Sequence, residues 1–181
     1  MAQAFDTYLR ELILSEHSRK TADTVVREIG GDPEKFGVLV RLLSEGPYRL
    51  TQRASRPLGM ICIRHPSLVQ PYLHEFILML GQPAHPALHR NLVRLFAEID
   101  VPDTEYGLLA DACFRFLYDA ETPVAVRCFS MTAIHRISLR EPELARELCL
   151  YIEERMPFES AGFRSRGKKI LAYWQKRGKG Y

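Results

Sequence analysis

The sequence predicts an all-α fold in which helix pairs stack into a solenoid: about four pairs of 37 residues behind an N-terminal capping half-repeat. Three observations carry this. Apolar residues recur at helical spacing along nearly the whole chain, and no alternating strand pattern persists. Proline and capping residues punctuate that pattern at short intervals, so successive helices must be close neighbours. Finally, Arg53, Arg90, Arg127 and Arg164 are separated by 37, 37 and 37 residues.

Residues 1–31 read as the N-terminal cap, with two helices within 4–30 that fit the later register poorly. Asp32-Pro33-Glu34 then supplies an N-cap, a first-turn proline and a first-turn acid. Four A helices align without gaps as "FGVLVRLLSEG" (36–46), "LHEFILMLGQP" (73–83), "ADACFRFLYDA" (110–120) and "ELCLYIEERMP" (147–157). Leu39, Phe76, Cys113 and Leu150 share one apolar column, and Val40, Ile77, Phe114 and Tyr151 share the next. Each A helix is expected to be followed by a B helix carrying one of the four arginines: 47–65, 86–100, 123–140 and 160–181.

Local signals refine this plan. Pro57 lies inside the first B helix, where it deletes a hydrogen bond and predicts a kink. Thr122-Pro123 and Glu141-Pro142 start helices, and Ser160 can cap the last one. In that last helix Phe163, Gly167, Ile170 and Trp174 form one inward stripe, with Gly167 allowing close approach of a neighbour. One helix pair cannot bury its stripe alone, so the pairs must stack. The expectation is a single domain over 1–181, with repeats over 32–176 and a basic tail over 177–181. About nine or ten helices follow.

The stretch "VAVRCFSMTAIHRI" (124–137) resembles the V-R-x-x-A second-helix signature of the HEAT-like α-α superhelix family, with Ser130 where that family often has Ala. "QRASRPLGMICIRHPSLVQPYLHEF" and "AGFRSRGKKIL" are similar to stretches in short bacterial helical-repeat proteins. The resemblance spans about residues 32–176 and implies a right-handed superhelix whose B helices line the concave face. It also implies that Arg53, Arg90 and Arg127 form a structural ladder, bonding to carboxylates or carbonyls of neighbouring turns.

Composition excludes several classes. Hydrophobic content of 46% and charged content of 26% are those of a soluble globular protein. The start, "MAQAFDTYLRELILSEH", has an acid at Asp6 and no apolar run, so no signal peptide is expected. The 14 uncharged residues between Glu75 and Arg90 are too few for a membrane span. Gly does not follow Met1 and no Cys ends the chain, which speaks against lipidation. Cys62, Cys113, Cys128 and Cys149 are scattered in apolar helical stretches and read as reduced, buried thiols of a cytoplasmic protein.

Catalytic chemistry is also hard to find. His85 and His89 are four apart, but Pro86 starts a helix between them and no third ligand is close, so no metal is expected. No phosphate loop, no G-x-S-x-G motif and no cofactor signature is present. The serine-rich loop of fumarase-type lyases is missing. HEAT-like DNA glycosylases match the architecture better, and that likeness implies aromatic residues and a carboxylate around a lesion. Here Trp174 belongs to the inward stripe, leaving Tyr173 and Asp111 as stand-ins; a solvated or paired role suits Asp111 better. No enzyme is expected.

Charge carries the functional expectation. The four B helices hold +4, 0, +3 and +7, together +14, against +3 for the whole chain, so the rest carries −11. A wall so biased would attract an acidic partner. Arg49, Arg56, Arg94 and Arg136 are the expected contacts, with Arg164, Arg166, Lys168, Lys169, Lys176 and Arg177 on the closing helix. The leading expectation is a non-catalytic module holding an acidic protein segment. Nucleic-acid binding through the same face is the alternative, with Lys168, Lys169, Lys176 and Arg177 on phosphates.

Overall fold

The computed structural model describes residues 2–178 and is helical throughout, with no strand among those residues. Eleven α-helices follow in order: α1 (Ala2–Ser15), α2 (Arg19–Ile29), α3 (Pro33–Glu45), α4 (Tyr48–Arg64), the short α5 (Pro66–Val69), α6 (Leu73–Leu80), α7 (Pro86–Glu98), α8 (Tyr106–Tyr118), α9 (Val124–Ser138), α10 (Pro142–Arg155) and α11 (Ala161–Lys176). Three-residue 3-10 turns precede α6, α8 and α11.

Polar side chains start several of these helices. Ser18 accepts from the Thr21 amide, Asp32 from Glu34 and Lys35, and Ser160 from Phe163, each satisfying amides that the first turn leaves open. His85 serves α7 similarly, its Nδ1 accepting from the Ala87 amide at 2.9 Å. Pro57 is buried, and α4 runs through it unbroken.

The chain divides into two compact units, Met1–Leu95 and Phe96–Tyr181, the division falling within α7. In the first unit α1 packs on α3, α2 on α4, and α3 on α4. Leu9, Val25, Phe36, Leu39, Leu50 and Leu58, all without exposure, form its core. In the second unit α9 is the hub, packed on α8, α10 and α11, and α10 packs on α11. There Cys113, Met131, Ile134, Leu148, Ile152 and Phe163 are buried to a similar degree. Gly167 is where α11 comes close to α10: a Cβ on it would lie 2.7 Å from Ile152 Cγ2. Trp174, 2% exposed, completes the inward stripe.

The buried positions reveal the true register. Among the A helices, Phe36, Leu73 and Ala110 are buried at intervals of 37, as are Leu43, Leu80 and Leu117. The next set, Ala145, Leu148, Cys149 and Ile152, follows its counterparts in α8 by only 35. Leu150, expected in the core, is therefore turned about 200° away and is 51% exposed, in the company of exposed Glu147 and Glu154. Residues of the Met156–Phe158 turn take up the difference before α11.

The B helices step differently. Leu50, Leu88 and Val126 are buried at intervals of 38, as are Ala54, Leu92 and Ser130, and Leu58, Phe96 and Ile134; only the final step to Phe163, Gly167 and Leu171 is 37. Lys179, expected in the basic tail, lies outside the described residues.

Candidate interaction surface

That one-residue difference decides where the repeated arginines go. Arg53 lies three residues after Leu50, Arg90 two after Leu88, and Arg127 one after Val126. Each residue turns the helix by about 100°, so the three side chains leave their helices in three directions. Arg53 is half-buried and donates through Nη1 to the Leu14 carbonyl at 2.8 Å. Arg127 is buried, donates through Nε to the Thr122 carbonyl, and forms an ion pair with the buried Glu159. Arg90 is exposed, which corrects its expected place in an internal ladder. The bond that does recur joins Arg164 to the Glu159 carbonyl, one 37-residue period after Arg127 meets Thr122.

The cations expected to meet a partner also separate into groups. In the first unit Arg49, Arg56 and Arg94 are exposed. In the second unit Arg136 is half-buried and held by Asp100, a carboxylate fully open to solvent. On α11, Arg164, Lys168, Lys169 and Lys176 are exposed on the side away from the buried stripe. Arg166 and Arg177 lie instead along the flank that meets α9.

On this flank the geometry is most ordered. The Arg166 guanidinium sits 5.9 Å from the centre of the Phe129 ring and donates to Thr132 Oγ1. Arg177 sits 4.6 Å from the centre of the Tyr173 ring. Tyr173 in turn meets the His135 imidazole edge-on, 4.8 Å between centroids. The Trp174 indole N–H donates to His135 Nδ1 at 3.2 Å, which leaves the imidazole proton on Nε2. Burial pushes His135 below its ordinary pKa of 6.5, and the positive Arg177 pushes the same way. Cys128, half-buried on the same helix, is raised by burial, while Arg166 and Arg127 act against that rise.

Phe129, Thr132, His135 and Asp100 were not among the sequence-predicted positions, although a signal for them existed. Phe129 and Arg166 are one 37-residue period apart, and His135 and Tyr173 are 38 apart. Since α9 and α11 pack together, residues one period apart become neighbours.

A groove of about 420 Å³ opens at the C-terminal end of α9, within the second unit. Phe96, Ile99, Leu109 and Ile137 give it an apolar floor; Arg136, Arg140, Asp100 and Asp103 stand at it. Burial, and then Asp103, raise the Tyr106 hydroxyl above its ordinary pKa.

Other chemically suggestive residues have structural occupations. Asp111 is exposed and pairs with Arg115 at 3.3 Å. His89 Nε2 contacts the Gln82 carbonyl at 3.1 Å. Cys62, Cys113 and Cys149 are buried, and burial pushes the Cys62 and Cys113 thiols up to about 12. Among the described residues no group of three or more His, Cys, Asp or Glu is placed to hold a metal ion. Among the same residues no helix is long and apolar enough to cross a membrane.

A family model for the HEAT repeat domain matches residues 9–173, which is nearly the whole chain and begins within α1. The chain belongs to the HEAT repeat family. No curated protein and no solved structure matches it. As a HEAT repeat protein it is a helical-repeat interaction module, and its inter-helix bonds show the repeat at work. Asn91 to Ser55, Arg136 to Asp100 and Arg166 to Thr132 span 36, 36 and 34 residues, each close to one repeat.

Proposed function

We propose that this HEAT repeat protein is a non-catalytic scaffold that holds an acidic segment of another protein along the α9–α11 surface. The observation that carries this reading is the pair of guanidiniums fixed over aromatic rings, Arg166 on Phe129 and Arg177 on Tyr173. A cation stacked on a ring has lost part of its freedom before the partner arrives, so less entropy is spent on binding. A guanidinium so held can take a carboxylate through the N–H groups it has not already committed. Lys168, Lys169 and Lys176 add exposed positive charge on the same helix.

A protein partner fits better than nucleic acid. Residues 96–181 contain 13 Lys and Arg and 13 Asp and Glu, so the unit is neutral as a whole. Nucleic-acid binding draws on a strong net positive field, which this unit does not carry. A short acidic segment needs only the local arginines. The buried cysteines suit a reducing, cytoplasmic setting.

The test is fluorescence anisotropy with a labelled Glu-rich peptide and a labelled DNA duplex. The peptide should bind wild type, lose binding to Arg166→Glu/Arg177→Glu, and keep it with Arg49→Glu/Arg56→Glu. Equal loss in both double variants would reduce the effect to bulk charge and overturn the surface assignment. Preference for the duplex, with a salt slope near about −5 for roughly six phosphates, would replace the protein partner by nucleic acid.

A further inference from the structure

The first unit carries an accumulation of charge of its own. Between Glu45 and Glu98 the chain holds one acid, Glu75, against six arginines and no lysine. Glu75 belongs to α6, where it accepts from the Ser44 hydroxyl. The arginines are Arg49, Arg53, Arg56 and Arg64 of α4, with Arg90 and Arg94 of α7. Arg49, Arg56, Arg90 and Arg94 are exposed, and among the described residues no carboxylate pairs with any of them.

Helix geometry puts these four on one side. Arg49 and Arg56 are seven residues apart and Arg90 and Arg94 four, so each pair forms a single stripe. Arg56 follows buried Ala54 by two residues, and Arg94 follows buried Leu92 by two, so both leave the core in the same direction. Between the stripes α4 meets α7. Asn91 donates to Ser55 Oγ at 3.0 Å, and a Cβ on Gly59 would lie 3.5 Å from the Asn91 carbonyl oxygen. Helices in such contact lie about 8–10 Å apart, so the arginines form two neighbouring rows. Glu16 reaches the far edge, lining a small cleft with Arg53 and Arg56, and Glu98 lies one turn beyond Arg94. Arg49, Arg53, Arg56, Arg90 and Arg94 outnumber them, and the face stays positive.

An aromatic pair closes one end. Tyr48, 67% exposed, opens α4, and its ring lies 4.6 Å from the His85 imidazole that precedes α7. The Ala87 amide donates to His85 Nδ1, which fixes the imidazole beside the tyrosine. Tyr48 and Arg49 are adjacent, so an open ring stands at the head of a row of cations.

We infer that this face binds a single-stranded nucleic acid, with a base against Tyr48 and phosphates on Arg49, Arg56, Arg90 and Arg94. A single strand offers its base faces to an aromatic side chain, whereas a duplex keeps them stacked inside. Arginine suits phosphate because its planar fork bonds two oxygens at once. An acidic peptide would match the charge but not the ring. This inference is independent of the acidic-segment reading, which concerns α9 and α11.

Anisotropy of a labelled oligothymidylate about 12 nucleotides long tests it on the full chain. Binding should weaken with a salt slope near about −3, for roughly four phosphates of a single strand. Arg56→Glu/Arg94→Glu should lower affinity at least about tenfold and flatten the slope. Tyr48→Ala should lower it about five- to hundredfold with the slope unchanged. Arg166→Glu/Arg177→Glu should bind as wild type does. Tyr48, Arg56 and Arg94 are exposed, so helicity by circular dichroism should stay unchanged in their variants. No binding at about 50 mM salt would overturn the inference. So would an equal loss in the α11 double variant, which would reduce the effect to net charge. A silent Tyr48→Ala would remove the stacked base and with it the single strand. Tighter binding of a duplex, or of a Glu-rich peptide, would assign the face to that partner instead.

Discussion

Arg90 on α7 and Arg127 on α9 stand 37 residues apart in matching sequence columns, yet one is exposed and the other is buried in an ion pair with Glu159. The difference is one residue of register. The buried side chains of these helices repeat every 38 residues, so an arginine repeating every 37 rotates by about 100° from one helix to the next. α8 and α10 make the same point with an apolar residue. Cys113 is fully buried, whereas Leu150, 37 residues on, is 51% exposed because α10 is set two residues earlier in its repeat. Repetition of a residue type does not ensure repetition of its environment.

The sharpest way to break the comparison is to remove the two arginines. Arg127→Ala should cost about 3 kcal/mol, because it leaves the carboxylate of a residue only 7% exposed with the more distant Arg155, 3.7 Å away, as its remaining ion pair. Arg90→Ala, at an exposed site, should stay within about 0.5 kcal/mol. Urea unfolding of both variants checks this, and similar losses would mean that Arg90 is bound as Arg127 is. The same experiment sharpens the α10 register. Leu148→Ala, at a site without exposure, should cost about 2–5 kcal/mol, while Leu150→Ala should cost under about 1 kcal/mol. The reverse order would restore the 37-residue column and refute the two-residue offset.

The smallest effect concerns pH. His135 titrates below its ordinary 6.5 in the folded chain, chiefly through burial and then through Arg177, and His89 shifts the same way through burial. The unfolded chain therefore takes up protons first, so both histidines favour the folded state above about pH 6.5 and lose that contribution as pH falls. Protonation of His135 also removes the acceptor for the Trp174 indole. Thermal melts from pH 7.5 to 5 should show falling stability. His135→Asn should flatten part of that slope, and His135→Asn/His89→Asn more of it. An unchanged slope in the double variant would assign the pH dependence to other groups.

Much of the architecture was legible before any coordinates. Asp32 and Ser160 were readable as caps because their side chains act within three residues. The inward stripe of α11 was readable because apolar spacing maps directly onto a helix face, and Trp174 and Gly167 lie where that spacing puts them. The surface was less legible. Arg136 was read as free for contact, but Asp100, 36 residues earlier, holds it. Arg166 and Arg177 were read only as charge, and the rings beneath them were not anticipated.

By itself the sequence determined the helices, their ends, their pairing into repeats and the abundance of cations in the closing helix. Each of these follows from local chemistry or from a period of about ten turns of helix, which residue spacing records faithfully. Only the tertiary structure decided which arginines are buried, which are stacked and which remain open. A change of one or two residues in a connecting turn leaves the repeat recognisable, yet it rotates every side chain of the next helix by about 100° or 200°.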